Sequence, residues 1–167
     1  MHILGVDIDP ALVERSIQLN CYKDNVMFRV ADVMSDSDRQ NVIESFLQEH
    51  QANHFNIVFC CSLTMWIHLN HGDDGLKEFL KYISSIADLL LLEPQPWSCY
   101  QAAARRMRKL KCTPFTHLLT LQWREGVVGD IMNYLESDHC SMKLIRNFGH
   151  TESWDRCLLL FESMKRN

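Results

Sequence analysis

The stretch FNIVFCCSLTMWIHLNHGD at residues 55–73 is a short apolar run followed by polar and aromatic residues. A second stretch of the same kind, LLLLEPQPW, occupies residues 89–97. Apolar runs of this length are typical of buried parallel strands. Ligands of open α/β sheets bind beyond the carboxyl ends of the strands, so we expect the two tails to face each other across a site.

Predicted strands and helices alternate on both sides of these runs. Strands are predicted at residues 2–9, 26–30, 55–61, 89–93, 142–148 and 156–161, and helices at residues 10–23, 35–48, 73–86, 97–111 and 130–136. Asp9 is predicted to cap the first helix, and a loop around Trp66 to follow the third strand. The alternation indicates one α/β domain over residues 1–167, with a mostly parallel, Rossmann-like sheet and a C-terminal antiparallel hairpin.

The composition is typical of a globular protein and not of a membrane-spanning or disulfide-rich one. The chain has 167 residues, 47% of them hydrophobic and 23% charged, which is ordinary for one globular domain. No apolar run approaches the ~20 residues that span a bilayer, and the N-terminus lacks the regions of a signal peptide, so we expect an intracellular protein without a membrane partner. Seven cysteines without a C-x-x-C pair indicate neither a disulfide framework nor a zinc ribbon.

Two aspartates follow the first two predicted strands. Asp7 ends the first strand, where a carboxylate can accept both hydroxyls of a ribose. Asp32 follows the second strand and can accept a hydrogen bond from the exocyclic amine of an adenine. The alternative is that Asp7 only solvates a strand end beside the helix cap and that Asp32 is a turn residue. Together, the two acids favour a ligand that carries a nucleoside.

The two tails contain side chains that a core does not need. His68 and His71 have the spacing of metal ligands, but no acidic ligand set accompanies them, so we expect no metal site. His68 and Asn70 are interpreted as hydrogen-bond donors to a substrate, the alternative being loop residues that satisfy their own backbone. Two prolines flank Gln95 and hold it and Trp97 rigidly at the end of a strand, which is typical of a site.

Five positive charges lie within residues 105–111 of a predicted helix. The net charge of the chain is -4, which argues against a protein that coats nucleic acid non-specifically. The cluster departs from that acidic balance and contains more Arg than Lys, which suits phosphate binding. A solvated helix face is the alternative.

Four segments of the chain, at residues 62–73, 92–97, 102–110 and 151–156, resemble the bicoid-interacting-three family of methyltransferases. Members of this family use S-adenosylmethionine (SAM) to methylate the 5'-terminal phosphate of small RNAs. The resemblance extends from His2 to Phe161. It favours the branch that acts on 5'-monophosphates, of histidine tRNA and precursor microRNA, because the nuclear capping branch has Lys in place of Met65.

The resemblance implies roles for individual residues in a class I SAM-dependent methyltransferase. Asp7 would bind the ribose of SAM, Asp32 and Val33 its adenine, and Cys61 would line the cofactor pocket. The implied catalytic residues, which orient the phosphate, are His68, Gln95 and Tyr100. The implied substrate-binding residues are Trp66, Asn70, Glu93, Trp97, Arg105 and Arg106. We also expect a monomer in the complete form, with the cytoplasm as its location and the nucleus as a second one.

The chain departs from the family pattern at its start. The glycine-rich loop of the family and the strand before it would precede His2, which implies a truncated domain without the strand between those ending at Asp7 and Cys61. We therefore expect unpaired strand edges, poor solubility and little activity. Two alternatives remain open, namely an RNA-binding module without a working SAM site, and a methyltransferase for small molecules or proteins on the same fold.

Overall fold

The computed structural model describes residues 1–152 and 154–165, which fall into two compact units, Met1–Asn53 and His54–Asn167. Ser153, within the segment at residues 151–156 singled out above, lies outside the described residues. The single domain over residues 1–167 stays a prediction. Among the described helices, none combines the length and the apolar character that crossing a membrane requires.

The first unit contains two parallel strands, each followed by helix. Its elements are β1 (Ile3–Asp7), α1 (Pro10–Leu19), β2 (Val26–Val30), α2 (Asp36–Asp38), a π-helical turn (Arg39–Glu44) and α3 (Ser45–Glu49). β1 and β2 pair in parallel, with Asp7 opposite Val30. The cap prediction is confirmed, because Asp9 Oδ1 accepts from the Ala11 N–H at 2.9 Å.

Two predicted helices of this unit differ from the structure. α1 ends at Leu19 rather than near residue 23, because the Asn20 side chain turns the backbone by binding the Val26 carbonyl and the Tyr22 N–H. The helix predicted over residues 35–48 is interrupted by the π-helical turn. There the Ser45 N–H reaches the Gln40 carbonyl five residues back, which is the hydrogen-bond spacing of a π-helix.

The second unit is built on one mixed sheet of four strands. Its elements are β3 (Phe55–Cys61), α4 (Thr64–Ser85), β4 (Ala87–Glu93), α5 (Trp97–Lys109), α6 (Val127–Glu136), β5 (Met142–His150) and β6 (Cys157–Ser163). The strand order is β3-β4-β6-β5, with β3 parallel to β4 and with β6 antiparallel to both of its neighbours. The parallel strands and the C-terminal antiparallel hairpin are confirmed.

The largest difference between the predicted elements and the structure is at helix α4. Residues 62–72 were expected to form a loop, but α4 begins at Thr64 and is bent at Gly72, where φ is 71° and ψ is −173°. Gly72 tolerates this positive φ because it lacks a side chain. The bend lets the helix continue with Leu69 and Leu76 both fully buried. His68 and Asn70 therefore lie on a helix.

The core of the second unit lies around β4 and β6. The fully buried side chains include Leu90 and Leu92 of β4, Leu159 and Phe161 of β6, and Tyr100 of α5. β3 lies at the edge of the sheet and exposes 63% of Phe59. β3 is therefore an edge strand of the described sheet, and the poor solubility expected from an unpaired edge stays a prediction.

Candidate active site

The carboxyl ends of β3 and β4 bring the two sequence tails together, as predicted. Cys61 lies opposite Glu93 in the sheet, and the Ser62 hydroxyl donates to Glu93 Oε2 at 2.6 Å. Arg156, immediately before β6, donates through Nη1 to Ser62 Oγ and, at 3.4 Å, to Glu93 Oε2. The carboxylate of Glu93 is thus neutralised by a nearly buried guanidinium. Its predicted contact with substrate stays a prediction.

Gln95 joins the end of β4 to the start of α4. Its Oε1 accepts from the Thr64 hydroxyl and from the Met65 N–H, both at 3.1 Å, and its Nε2 donates to the Ser62 carbonyl at 2.6 Å. Gln95 is only 1% exposed. These bonds make Gln95 a positioning residue for the turn at Ser62. Its predicted contact with the phosphate stays a prediction.

His68 lies between Tyr100 and Asp73 in the interior. His68 Nδ1 is 3.0 Å from the Tyr100 hydroxyl, and His68 Nε2 is 3.2 Å from Asp73 Oδ1. Asp73 also accepts from the backbone N–H groups of Gln122 and Trp123, each at 2.9 Å. The His68 and Tyr100 side chains are fully buried.

Tyr100, His68 and Asp73 form a triad, and the directions of their pKa shifts determine which of its atoms carry protons. Burial lowers the pKa of His68 despite the opposing effect of Asp73, and burial raises the pKa of Tyr100 above its ordinary value. Burial alone would raise the pKa of Asp73, but the hydrogen bonds from Gln122, Trp123 and His68 outweigh it and hold that pKa below its ordinary value. An ionised carboxylate only accepts, so neutral His68 donates from Nε2 to Asp73 and its Nδ1 accepts from the Tyr100 O–H.

This assignment occupies both ring nitrogens of His68. The ring then has no free donor for a phosphate, and the Tyr100 hydroxyl has spent its only proton on the ring. The predicted contact of these two side chains with the phosphate stays a prediction. The geometry itself makes them a rigid link between α4 and α5.

The remaining side chains of the tails lie nearer the surface. Trp66 is 46% exposed, with its ring centroid 6.1 Å from that of Phe115. Asn70 Nδ2 donates to the Trp66 carbonyl at 2.8 Å, so Asn70 does satisfy its own backbone, the alternative left open from the sequence. Trp97 packs against Tyr100 at 5.1 Å and lies under the Arg124 guanidinium at 5.9 Å.

The predicted cofactor residues Asp7, Asp32 and Val33 belong to the first unit. The Ala31 N–H donates to the Asp7 carbonyl at 3.0 Å, so the carboxyl ends of β1 and β2 are adjacent. Asp7 Oδ1 accepts from the Asp9 N–H, and Asp32 Oδ1 accepts from the Met34 N–H. Within the described part of the chain, the second oxygen of each carboxylate has no protein partner. These two oxygens fit a ribose hydroxyl and an exocyclic amine.

The other two predicted cofactor residues, Val33 and Cys61, have different surroundings from the two aspartates. The Val33 carbonyl accepts from Arg39 Nε at 2.6 Å, which holds the loop after Asp32. Cys61 lies in the second unit at the end of β3, where partial burial and the charge of Glu93 raise the pKa of its thiol. The thiol is therefore neutral at pH 7, as suits a residue that lines a pocket.

Arg105 and Arg106, which were predicted to bind substrate together, point in different directions from the helix. Consecutive residues of a helix point about 100° apart. Arg105 lines a groove along α5 together with Arg108, whereas Arg106 is exposed outside it. The structure also adds residues that had no predicted role in the site, namely Asp73, Gln122, Trp123, Arg124 and Arg156. No cluster of three or more His, Cys, Asp or Glu side chains suited to a metal occurs within residues 1–152 and 154–165.

Comparisons with known proteins agree with the resemblance noted in the sequence. The family model for Bicoid-interacting protein 3 (Bin3) matches residues 55–163. The "RNA 5'-monophosphate methyltransferase" of Bos taurus is 47% identical over 98% of this chain and 55% of its own length. The "Pre-miRNA 5'-monophosphate methyltransferase" of Xenopus laevis is 44% identical over 97% of this chain and 63% of its own length.

The fold is shared with a solved methyltransferase. The crystal structure of the N-methyltransferase NodS from Bradyrhizobium japonicum WM9 matches with a TM-score of 0.55 at 11% identity, over 97% of this chain and 73% of NodS. The α/β fold is thus that of class I SAM-dependent methyltransferases, as predicted. The chain spans little more than half the length of the curated relatives that it matches. On the family model and on these identities, the chain belongs to the Bicoid-interacting protein 3 family.

Proposed function

We propose a SAM-dependent methyltransferase activity on the 5'-terminal monophosphate of small RNAs for the domain to which this chain contributes, with histidine tRNA and precursor microRNA as the substrates. The observation that carries the proposal is the 47% identity to a protein named RNA 5'-monophosphate methyltransferase over 98% of this chain. That span contains Asp7 and Asp32 as well as His68, Gln95 and Tyr100. The cytoplasm, with the nucleus as a second location, is part of the same proposal.

The first unit would supply the nucleoside contacts. Asp7 would accept from the ribose hydroxyls through the carboxylate oxygen that Asp9 leaves free. Asp32, with Val33 beside it, would accept from the adenine amine. When bound, SAM would supply a methyl group on a positively charged sulfur, which a phosphate oxygen can take without a further catalyst group.

The second unit would position the RNA end. A phosphate oxygen is already ionised at neutral pH, so no strong general base is needed and orientation does most of the work. The triad of Tyr100, His68 and Asp73 would keep α4 and α5 in register, and Gln95 would hold the turn at Ser62. Cations directly on the attacking oxygen would weaken it as a nucleophile. Neutral groups nearest that oxygen, with the arginines farther along the RNA, fit this requirement.

A methyl-transfer assay tests the proposal directly. The chain, joined to the N-terminal segment of a curated relative and in parallel by itself, is incubated with SAM labelled in its methyl group and with one RNA sequence carrying a 5'-monophosphate, a 5'-triphosphate or a 5'-hydroxyl. For the joined protein we expect label on the 5'-monophosphate RNA. Phosphatase treatment of this RNA before the reaction should prevent labelling, whereas the same treatment after the reaction should leave the label in place. The chain by itself should transfer little label. Label on the 5'-hydroxyl RNA would refute the assignment of the phosphate as acceptor. Binding of RNA without any transfer by the joined protein would support the alternative of an RNA-binding module.

A further inference from the structure

An open groove of about 330 Å³ runs along α5 and under the segment that follows it. Its α5 side consists of one helix face, since the residues recur at spacings of three and four. The segment after α5 forms the opposite side. The lining residues are Trp97, Gln101, Ala104, Arg105, Arg108, Leu118, Leu119 and Arg124.

The charged side chains of the groove are all positive. Arg105, Arg108 and Arg124 line it, and none of the described acidic residues does. Arg105 and Arg108 are exposed and have no acidic partner among residues 1–152 and 154–165. Arg124 is held in place, because its Nε donates to the Leu121 carbonyl at 2.8 Å and its Nη2 to the Leu119 carbonyl. Nη1 of Arg124 remains for a ligand.

The rest of the lining is mostly apolar or aromatic. Trp97 lies at one end of the groove, and Leu119 on the opposite side is 84% exposed. The apolar side chains of the groove can contact bases, and the guanidinium groups beside them can bind phosphates. The groove is therefore complementary to a flexible chain of bases and phosphates. Grooves that bind single-stranded nucleic acid combine cations for the backbone with flat or apolar side chains for the bases.

We propose that this groove binds the single-stranded segment of RNA that follows the 5' end, with phosphodiesters on Arg105, Arg108 and Arg124 and bases against Trp97 and Leu119. The inference rests on the proposed function and deepens it by naming the path of the substrate. Trp97 contacts Tyr100, so the groove begins at the triad. From Trp97 to Arg108 the helix rises about 16 Å, which is long enough for several nucleotides.

An exposed arginine of α1 offers the matched control for a test. Arg105→Ala and Arg15→Ala remove the same charge from exposed helix positions, but only Arg105 lines the groove. Binding is measured by fluorescence anisotropy with 3'-labelled, 5'-monophosphorylated RNA of two and of twelve nucleotides, at several salt concentrations. Circular dichroism before each titration verifies that the variants are folded.

We expect Arg105→Ala and Arg108→Ala each to weaken binding of the twelve-nucleotide RNA about three- to tenfold at low salt. The slope of log affinity against log salt should fall by about 0.7 for each phosphate that the variant no longer binds. Binding of the dinucleotide, and binding by Arg15→Ala, should change less than twofold. Equal losses of affinity in Arg105→Ala and Arg15→Ala would overturn the groove and leave only a diffuse attraction. Equal losses for the two RNA lengths would overturn the assigned path.

The outcome is separable from that of the proposed function. Wild-type methyl transfer with no dependence of RNA binding on Arg105 would refute the groove while the function stands. Dependence on Arg105 without methyl transfer by the protein joined to the N-terminal segment of a relative would support the groove and refute the function. Heparin serves as a polyanion without bases. Heparin binding that depends on Arg105 as strongly as RNA binding does would refute the role of Trp97 and Leu119.

Discussion

Nε2 of His68 lies 3.2 Å from Oδ1 of Asp73, although the two residues belong to one helix at a spacing of five. In a straight helix, residues five apart point about 140° away from each other. The bend at Gly72 removes that separation and turns the Asp73 carboxylate toward the ring. The same carboxylate accepts from the Gln122 and Trp123 N–H groups, so one side chain fixes the ring, the helix bend and the segment after α5.

Replacing Asp73 tests this arrangement. Asp73→Asn removes the charge that accepts three hydrogen bonds, and we expect the free energy of unfolding to fall by about 1 to 3 kcal/mol, the usual cost of removing a charged partner. Asp74→Asn is the matched control, because the Asp74 side chain is fully exposed and forms a surface ion pair with Lys77. Urea denaturation of both variants measures the difference. Equal effects in the two variants would show that the buried network contributes nothing.

The lowered pKa of His68 gives the stability a definite pH dependence. In the unfolded chain His68 binds a proton near pH 6.5, whereas in the folded chain it does so only at a lower pH because it is buried. Between these values the unfolded state binds more protons, so the contribution of His68 to stability is present above pH 6.5 and is lost as the pH falls below it.

The pH dependence is measured as the free energy of unfolding from pH 8 to pH 5, for the wild type and for His68→Gln. We expect the wild type to lose more stability than the variant over this interval. Parallel curves would mean that another group, such as the exposed His2, causes the loss.

Replacing glycine by alanine should have opposite effects on the stability of the protein at Gly72 and at Gly129. Gly72→Ala places a side chain at φ 71° with its Cβ 3.2 Å from His117 Nδ1, and we expect a loss of about 1 to 3 kcal/mol. Gly129 lies inside α6, and apart from its chain neighbours and the backbone of its own helix no described atom lies within 4 Å of the place that its Cβ would take, so Gly129→Ala should stabilise by about 0.5 to 1 kcal/mol. Thermal unfolding measures both. A stabilising Gly72→Ala would contradict the bend.

Gln95 offers a test of the turn between β3 and α4. Gln95→Leu keeps the volume but leaves the Thr64 hydroxyl and the Met65 N–H buried without their acceptor, so we expect a loss of about 2 to 4 kcal/mol. Gln101→Leu, at an exposed position of α5, is the control and should change stability by less than about 0.5 kcal/mol. Chemical denaturation compares the two variants. If Gln95→Leu leaves the stability unchanged, the hydrogen bonds of Gln95 are not needed for the fold, and its side chain is free for the predicted contact with substrate.

The strands were the most predictable part of the fold, and the reason is local. Val26–Val30 and Phe55–Cys61 match the structure to the residue, because each is an apolar run bounded by turn residues. The segment from Ser62 to Gly72 misled the prediction, since Asn70, His71 and Gly72 resemble a helix stop. Within α4 only Gly72 leaves helical geometry, and the buried Ile67 and Leu69 stabilise the helix on the N-terminal side of Gly72.

The partners of the candidate site residues could not be predicted from the sequence. His68 and Gln95 stood out in the two tails and the resemblance added Tyr100, but the contact of all three with a substrate stays a prediction. The contact of Asp73 with Gln122 spans 49 residues along the chain, and that of Ser62 with Arg156 spans 94. No spacing rule of helices or strands reaches so far, and these contacts decide which side chains are free for a ligand.

Asp7 provides the test of the cofactor site in the first unit. In the chain joined to the N-terminal segment of a curated relative, Asp7→Ala should weaken SAM binding by about 1 to 3 kcal/mol, because a carboxylate that accepts from ribose hydroxyls contributes on that scale. The fold should survive, since the β1–β2 pairing uses only the backbone of Asp7. Asp24→Ala, in the exposed turn before β2, is the matched control and should bind SAM as the wild type does. Calorimetric titration with SAM measures all three proteins, and unchanged affinity in Asp7→Ala would refute the assignment of Asp7 to the ribose.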